Sequence, residues 1–363
     1  MSYISCIETA SPRYTLTQEQ HVSFYCNTIT NGDTTSARKI KAIGAKSGIK
    51  TRYSVIEDFT LPAKDFTFFA NNNALEPVAD LNKRMSLYKT EALQLSLQSI
   101  KKIKGFDLFK NTITHLITVT CTGLFAPGLD IELITELGLD NSVSRSSINF
   151  MGCNAAILAL KQAHYISNSC NNAVVLIVCT ELCTIHFQKK YEDEFLLSNL
   201  IFSDGSAAAI VSSQLLTIHE TYKPLKIDSF FSEVIHEGKN DMAWSLSDSG
   251  FIVNLTSNIS SLLNQRLPVI INKIKSDGKV INHWAIHPGG KKIVDDFCKT
   301  MSIEPQEIQA SYDVLRENGN MSSPTILFVI KAMLEQKNIK PKDTIFAAAF
   351  GPGLSIETVL LEA

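Results

Sequence analysis

The segment Asn172-Ala-Val-Val-Leu-Ile-Val-Cys179 is apolar from its second residue to its last. A continuous apolar run of this length is typical of a central strand that is covered on both faces. Before it, the sequence predicts a β-branched strand at 115–121 and helices at 128–139 and 154–167, and after it a strand at 207–211. This alternation of strands and helices indicates a layered α/β fold.

The second half of the chain repeats the same rhythm. We predict helices at 255–274 (with a kink or break at Pro268), at 291–300, from Glu307 onward and at 322–336, and strands at 284–286, 344–350 and 355–361. Two pseudo-duplicated halves are therefore expected, residues 1–215 and 216–363, with a join near residues 213–225. No low-complexity linker separates them, so they should pack as one body.

The composition excludes several classes of protein. The 363 residues carry 34 Lys+Arg and 36 Asp+Glu, a net charge of −2, which lacks the basic excess of a nucleic-acid-binding protein. No stretch approaches the roughly 20 apolar residues of a membrane span, and the N-terminus has no signal-type run, so we expect a cytoplasmic protein. The eight cysteines are scattered without a Cys-x-x-Cys pair, which argues for buried thiols and against a metal site.

Cys153 lies in Asn149-Phe-Met-Gly-Cys-Asn-Ala-Ala156, at the start of a predicted helix. Unpaired backbone N–H groups and the helix dipole at such a position favour the reactive thiolate. A His follows far downstream in Trp284-Ala-Ile-His-Pro-Gly-Gly290, and an Asn in Glu317-Asn-Gly-Asn-Met-Ser-Ser323. A cysteine with a distant His and Asn is typical of a nucleophile with its activating partners, so convergence of the three would indicate an acyl-transfer enzyme.

Each of these residues also has a purely structural interpretation. Cys153 could pack in the core, His287 could belong to a turn, and Asn320 could cap a helix that begins at Met321. His283 precedes His287 by four residues, but on a strand the two are not spaced as metal ligands, and we interpret it as structural. A basic cluster is either a solvated helix face or a patch for ligand phosphates: Arg38, Lys39, Lys41, Lys46, Lys50 and Arg52.

The chain resembles the type III polyketide synthases, the chalcone-synthase-like family, through motifs that occur in the family's order. These motifs are Gly152-Cys-Asn-Ala-Ala156, Phe202-Ser-Asp-Gly-Ser-Ala-Ala-Ala209, His287-Pro-Gly-Gly290, Gly319-Asn-Met-Ser-Ser323 and Phe350-Gly-Pro-Gly-Leu-Ser-Ile-Glu-Thr358. Two further segments look like the bacterial branch, Thr122-Gly-Leu-Phe-Ala-Pro-Gly-Leu-Asp130 and Glu181-Leu-Cys-Thr-Ile-His-Phe187. The resemblance implies a thiolase-like αβαβα fold, a homodimer with one buried cavity per subunit, and coenzyme A thioesters as substrates without a cofactor or metal.

The resemblance also implies roles for individual residues. Cys153 would be the nucleophile, His287 its partner and Asn320 the third catalytic residue. Phe202 would be the aromatic gatekeeper between the entry tunnel and the cavity. Other positions would line that cavity, with Val253 standing where plant members have a second Phe: Cys121, Thr122, Cys183, His186, Trp244, Val253 and Ser322. Lys41, Lys46 and Lys50 would contact coenzyme A phosphates, and the Ala126-Pro127 loop would reach the neighbouring subunit's cavity.

The resulting expectation is an acyltransferase that condenses malonyl-CoA repeatedly onto an acyl-CoA starter held on Cys153 and then closes a resorcinol-type or pyrone ring. An alternative is a single-round enzyme like 3-oxoacyl-(acyl-carrier-protein) synthase III, which shares a Cys-His-Asn set and requires malonyl carrier protein. A third interpretation is a catalytically inactive partner subunit, which the retention of all three residue types disfavours. The starter, the number of rounds and the mode of ring closure stay open.

Overall fold

A computed structural model describes residues 1–30, 33–216, 218, 223–256, 258–336 and 339–363. Its strands are β1 Ser2–Ala10, β2 Tyr14–Thr17, β3 Thr51–Ser54, β4 His115–Thr120, β5 Ser144–Asn149, β6 Val174–Leu182, β7 Asp204–Ser212, β8 Leu225–Val234, β9 Met242–Ser247, β10 Gly250–Leu255, β11 His283–Ile286, β12 Thr344–Gly351 and β13 Ser355–Glu362. Its α-helices are α1 Gln18–Ile29, α2 Thr34–Lys46, α3 Leu81–Lys101, α4 Phe106–Phe109, α5 Leu129–Leu137, α6 Ala155–Ser169, α7 Asp193–Ile201, α8 Ile259–Ser276, α9 Lys291–Met301, α10 Gln309–Asn318 and α11 Thr325–Gln336.

A nine-stranded mixed sheet runs through both halves of the chain in the order β11-β12-β13-β8-β1-β7-β6-β4-β5. The outer pairs β11–β12, β6–β4 and β4–β5 are parallel, and the strands between them pair antiparallel. Strands β1 and β8 join the two halves of the sheet. Part of the predicted join at 213–225 falls outside the described residues.

Strand β6 is covered on both faces, as its apolar run predicts. Val175, Ile177 and Cys179 pack into a core cluster with helices α6 and α11. The alternate residues Val174 and Leu176 pack into a second cluster with α3 and α5 on the opposite face. Because successive side chains of a strand point to opposite faces, each face of β6 faces a different helix layer.

The same arrangement holds at the other end of the sheet. On β12, Ile345 and Ala347 face the cluster that contains α6 and α11, whereas Phe346 and Phe350 face a third cluster with α8 and α9. Helices α6 and α11 therefore lie in the middle, with a sheet layer and an outer helix layer on each side. This five-layer α/β architecture confirms the predicted fold class.

Two element predictions are wrong in their bounds. Leu255, predicted as the first residue of a helix, is instead the last residue of strand β10, Gly250–Leu255, where it pairs with Met242 of β9. Helix α8 then begins at Ile259 and continues through Pro268 without a break. Leu267 and Ile270, on either side of the proline, are fully buried in the third cluster, and this packing holds the helix together.

Within the described ranges, no helix combines the length and apolar character needed to cross a membrane.

Candidate active site

Cys153 lies in a short 3-10 turn, Gly152–Asn154, which follows β5 and leads directly into α6. The turn passes very close to the loop after β12. A Cβ on Gly152, whose φ is +77°, would come within 2.3 Å of Pro352 Cδ, and a Cβ on Gly351 would come within 2.5 Å of the Asn154 side chain. Only glycine fits this approach, so the glycine pair fixes Cys153 against the end of β12.

His287 follows strand β11 directly, and its backbone N–H donates to the Ala348 carbonyl of β12 at 2.8 Å. Its side chain is 1% exposed, and neither ring nitrogen has a hydrogen-bond partner among the described residues. Burial lowers the pKa of His287 to about 3. The ring is therefore a neutral imidazole with one N–H donor and one acceptor nitrogen.

Asn320 follows helix α10 and is tied by its backbone to the end of α7. Its N–H donates to the Ile201 carbonyl at 2.9 Å, and its carbonyl accepts from Ser203 N–H at 2.9 Å. The side-chain amide donates from Nδ2 to the Gly289 carbonyl at 3.1 Å and accepts at Oδ1 from Ser322 N–H at 2.8 Å. The cap interpretation is wrong, because α11 begins only at Thr325.

Cys153, His287 and Asn320 all line one cavity of about 620 Å³. Most of its remaining wall is apolar: Ile43, Leu197, Ile201, Phe202, Met242, Trp244, Val253, Leu255, Ile259, Ile293, Phe350 and Pro352. Charged residues of both signs also line it: Lys46, Asp193, Glu194, Lys291 and Lys292. The arrangement combines a thiol, an imidazole and an amide with space for a long apolar chain.

The electrostatics of Cys153 differ from the expectation drawn from its helix position. Burial raises the pKa of the Cys153 thiol to about 11, while its hydrogen bonds with Ser322 and Asn320 act in the opposite direction with less effect. Desolvation therefore outweighs the helix N-terminus at this thiol and shifts its pKa in the direction opposite to the one expected from the helix start. Cys153 and His287 form a neutral thiol and imidazole.

Four of the predicted cavity residues line the main cavity, namely Phe202, Trp244, Val253 and Ser322. The Phe202 and Trp244 rings pack edge to face, with centroids 6.2 Å apart. Together with Val253, these two rings separate the main cavity from a smaller pocket of about 40 Å³.

Cys183 and His186 line the smaller pocket and do not reach the main one. His186 Nδ1 accepts from the Phe251 N–H at 3.0 Å, its Nε2 donates to the Thr122 carbonyl at 2.7 Å, and its ring stacks on Phe251. Both ring nitrogens of His186 are thus engaged, and burial lowers its pKa to about 3.

Cys121 and Thr122 lie behind Ser322 instead of facing the cavity. Ser322 Oγ lies 3.6 Å from Cys153 Sγ and 3.3 Å from Cys121 Sγ. Cys121 and Thr122 in turn surround Glu181, a buried carboxylate that accepts from Cys121 N–H at 2.9 Å and from Thr122 Oγ1 at 2.7 Å. Burial raises the pKa of Glu181, and no role was predicted for it from the sequence.

The remaining predicted residues divide between the cavity and the surface. Lys46 lines the cavity, whereas Lys41 and Lys50 are exposed elsewhere. Ala126 and Pro127 are exposed and joined by a cis peptide bond, away from the cavity of their own chain. Sequence reasoning missed the lysines that open α9, Lys291 and Lys292, which form ion pairs with Asp295 and Asp296. Their position directly after the His287-Pro-Gly-Gly290 motif is the signal that could have found them.

The chain also matches a known protein family over most of its length. The family description "Chalcone and stilbene synthases, N-terminal domain" matches residues 2–215, and the C-terminal domain description matches residues 226–363. The chain belongs to the chalcone and stilbene synthase family. It is thus a type III polyketide synthase, an enzyme of the acyltransferase class.

Individual relatives agree with this assignment. The chain is 31% identical over 332 residues to the alpha-pyrone synthesis polyketide synthase-like Pks18 of Mycobacterium tuberculosis, covering 89% of the chain and 82% of that protein. It is 30% identical over 335 residues to the probable polyketide synthase 1 of Dictyostelium discoideum, covering 89% of the chain and 10% of that protein. The synthase therefore spans about a tenth of the Dictyostelium relative.

Two solved structures have closely similar folds. The C-terminal type III polyketide synthase domain of Steely1, a type I/III hybrid from Dictyostelium, superposes with a TM-score of 0.86 at 27% identity over 99% of both chains. PKS-I from the brown alga Ectocarpus siliculosus gives a TM-score of 0.86 at 24% identity, over 99% of this chain and 98% of that one, which shows the shared fold alone.

Proposed function

We propose that this synthase loads an acyl group from acyl-CoA onto Cys153, extends it with malonyl-CoA in several rounds and releases a cyclised pyrone or resorcinol-type product. The observation that carries the proposal is the cavity of about 620 Å³, whose wall combines Cys153, His287 and Asn320 with an apolar surface. A thiol is a strong nucleophile and a good leaving group, so it suits an enzyme that holds and passes on an acyl chain.

Loading uses the neutral Cys153–His287 pair. As Sγ attacks the thioester carbonyl, the acceptor nitrogen of His287 takes the proton in the same step, because the thiol is protonated before it reacts. The coenzyme A thiolate leaves and carries the proton away. The acyl group then remains on Cys153 and the imidazole returns to its neutral form.

Extension uses Asn320 together with His287. Decarboxylation of malonyl-CoA places negative charge on the thioester oxygen of an enolate. The Asn320 amide has one N–H beyond the one bound to Gly289, which is the donor assigned to this oxygen, and His287 supplies a second N–H in the tautomer opposite to the one that accepts the Cys153 proton. The enolate carbon attacks the Cys153 thioester, Sγ leaves, and the lengthened chain returns to Cys153. These steps call for no metal or redox cofactor.

The apolar lining favours an aliphatic starter. Val253 and Leu197 contribute apolar surface to the cavity, and Val253 leaves more room than an aromatic side chain would. The name of the mycobacterial relative, 31% identical, records alpha-pyrone synthesis, which supports a pyrone among the products. We propose that Lys46 at the cavity, with Lys41 and Lys50 nearby in sequence, contacts the phosphates of coenzyme A.

We also propose a homodimer in a reducing cytoplasmic setting. Leu124 and Met151 are 43% and 47% exposed, and they lie close in sequence to the exposed Ala126-Pro127 loop and to Cys153. Strand β5 forms an uncovered edge of the sheet beside them. A partner subunit would cover the two apolar side chains and the exposed, mostly polar edge strand β5. All eight cysteines are free, as Cys153 chemistry requires. Sedimentation velocity of the wild type and of Met151→Glu measures the association.

The test of the function is incubation with acyl-CoA starters of graded chain length and malonyl-CoA, without carrier protein, followed by mass spectrometry. We expect triketide or tetraketide products from the wild type and none from Cys153→Ala. If the enzyme works only with malonyl carrier protein and stops after one condensation, it is instead a single-round enzyme like 3-oxoacyl-(acyl-carrier-protein) synthase III.

A further inference from the structure

Arg52 is a fully buried arginine on β3 that the proposed mechanism does not use. Its Nη1 donates to the Phe202 carbonyl at 2.7 Å and to the Asn199 carbonyl at 3.3 Å. Its Nη2 donates to the Leu200 carbonyl and to Gln18 Oε1. Three carbonyls at or just beyond the end of α7 thus converge on one guanidinium.

These carbonyls form the negative end of the α7 dipole, which a cation stabilises. Burying a guanidinium without such partners would cost several kcal/mol. Asp204 adds a favourable charge interaction, but both its oxygens accept from other groups, Val55 N–H at 2.9 Å and Thr184 N–H at 2.8 Å. Three of the four hydrogen bonds described for Arg52 are therefore directed at the end of α7, and the fourth goes to Gln18.

The segment that Arg52 holds carries two functional elements. Phe202 is part of the wall between the main cavity and the smaller pocket. The residues on either side of it, Ile201 and Ser203, make the two backbone hydrogen bonds that fix Asn320, each 2.9 Å long. A Cβ on Gly319, the residue before Asn320, would lie 3.1 Å from Ser203 Cβ and 3.8 Å from Arg52 Cβ. A shift of this segment therefore shifts Asn320.

We propose that Arg52 is a positioning residue for decarboxylation: its guanidinium fixes residues 199–203, and through them it sets the position of the Asn320 amide in the cavity. The inference rests on the proposed function, in which Asn320 serves the malonyl thioester. Acylation of Cys153 uses His287, whose backbone is bonded to β12, and Arg52 makes no hydrogen bond to His287 in the part of the chain described, so we expect acylation to depend less on residues 199–203 than decarboxylation does.

The test is Arg52→Lys, with two rates measured on the same preparation. An ammonium keeps the charge but lacks the planar fork that reaches three carbonyls. We expect malonyl-CoA decarboxylation, followed as acetyl-CoA formation, to fall by about 100-fold, the usual effect of a misplacement of about 1 Å. Single-turnover acylation of Cys153 by acyl-CoA, followed by intact mass, should stay close to the wild-type rate. The acylated fraction also corrects for unfolded protein.

Arg84→Lys is the matched control. Arg84 is 1% exposed and also donates to backbone carbonyls, those of Ala79, Ile185 and Phe187, but it contacts neither α7 nor Asn320 in the described structure. We expect its decarboxylation-to-acylation ratio to equal that of the wild type. If decarboxylation and acylation fall by the same factor in Arg52→Lys, as they would in a merely destabilised Arg84→Lys, the inference is overturned. Such a result would indicate general destabilisation only.

If Arg52→Lys does not fold, the milder variant Ser203→Ala tests the same inference. Ser203 Oγ donates to the Tyr53 carbonyl and accepts from Tyr53 N–H, both at 3.0 Å, and so ties β3 to the same segment. Ser203→Ala should lower decarboxylation and spare acylation, and an unchanged ratio would overturn the inference. A wild-type enzyme that forms no polyketide from acyl-CoA and malonyl-CoA would instead overturn the proposed function, and the inference with it.

Discussion

Replacement of Asn320 by Ala should separate the two half-reactions of the enzyme. The change removes the amide N–H that the proposed mechanism directs at the enolate oxygen. Loss of one such donor costs about 3–4 kcal/mol of transition-state stabilisation, or roughly a 10²–10³-fold fall in rate. We therefore expect malonyl-CoA decarboxylation to fall by this factor, while acylation of Cys153 by acyl-CoA continues.

The same substitution also affects stability. Asn320 is 2% exposed, and its loss leaves the Gly289 carbonyl and the Ser322 N–H without their partner, each at about 1–3 kcal/mol. The rates must therefore be expressed per acylatable enzyme. Asn318→Ala is a suitable control, because Asn318 lies two residues away and donates only to the Val314 carbonyl of its own helix among the hydrogen bonds described.

The assay is acetyl-CoA formation from malonyl-CoA without a starter, measured by chromatography, beside Cys153 acylation measured by intact mass. Decarboxylation by Asn320→Ala within about tenfold of the wild-type rate would refute the donor role, since that margin is smaller than the effect of one lost donor. Parallel loss of both activities in Asn318→Ala would show that the assay reports folding instead of chemistry.

Three further outcomes follow from the site. Cys153→Ala should abolish condensation and retain part of the decarboxylation, which complete loss in a folded variant would contradict. Because burial raises the pKa of Cys153 to about 11, its alkylation by iodoacetamide should still accelerate as the pH rises above 8; a plateau below pH 7 would show a thiolate held by His287. In the folded chain the pKa values of His186 and His287 are about 3, so both rings stay neutral at pH 5. In the unfolded chain each histidine has a pKa of about 6.5 and binds a proton below that pH. The free energy of unfolding should therefore fall by about 2 kcal/mol per group between pH 7 and pH 5, and urea unfolding curves of equal midpoint at the two pH values would contradict this.

The sequence predicts well those features that depend on local pattern. The apolar run from Ala173 to Cys179 predicts a strand covered on both faces, and the structure confirms this with a different helix layer on each side. Cys153 lies at a helix start as predicted, because its small neighbours and Gly152 allow a tight turn there. These conclusions need only periodicity and backbone sterics.

Features that depend on tertiary packing cannot be predicted from the sequence pattern. The helix start at Cys153 predicts a lowered thiol pKa, yet the protein that surrounds the thiol raises it. Lys50 lies in the same basic cluster as Lys46 but does not line the cavity. The burial of Glu181 is not predictable from its position either, because its partners come from distant segments, including Cys121 and Ser323. Burial and charge partners are set by elements far apart in the chain, which no local pattern records.

The way the three central residues are supported explains why their functions should separate. Cys153 is held by the loop after β12, and the backbone of His287 is bonded to β12 itself, so one strand sets the relation between nucleophile and base. Asn320 is anchored instead to the end of α7, which Arg52 stabilises from β3. A disturbance of α7 therefore moves the amide donor more than the thiol–imidazole pair, to which Asn320 is linked, among the described residues, only through its side-chain contacts with Gly289 and Cys153. Acyl loading and malonyl decarboxylation thus depend on different parts of the fold, although they take place in one cavity.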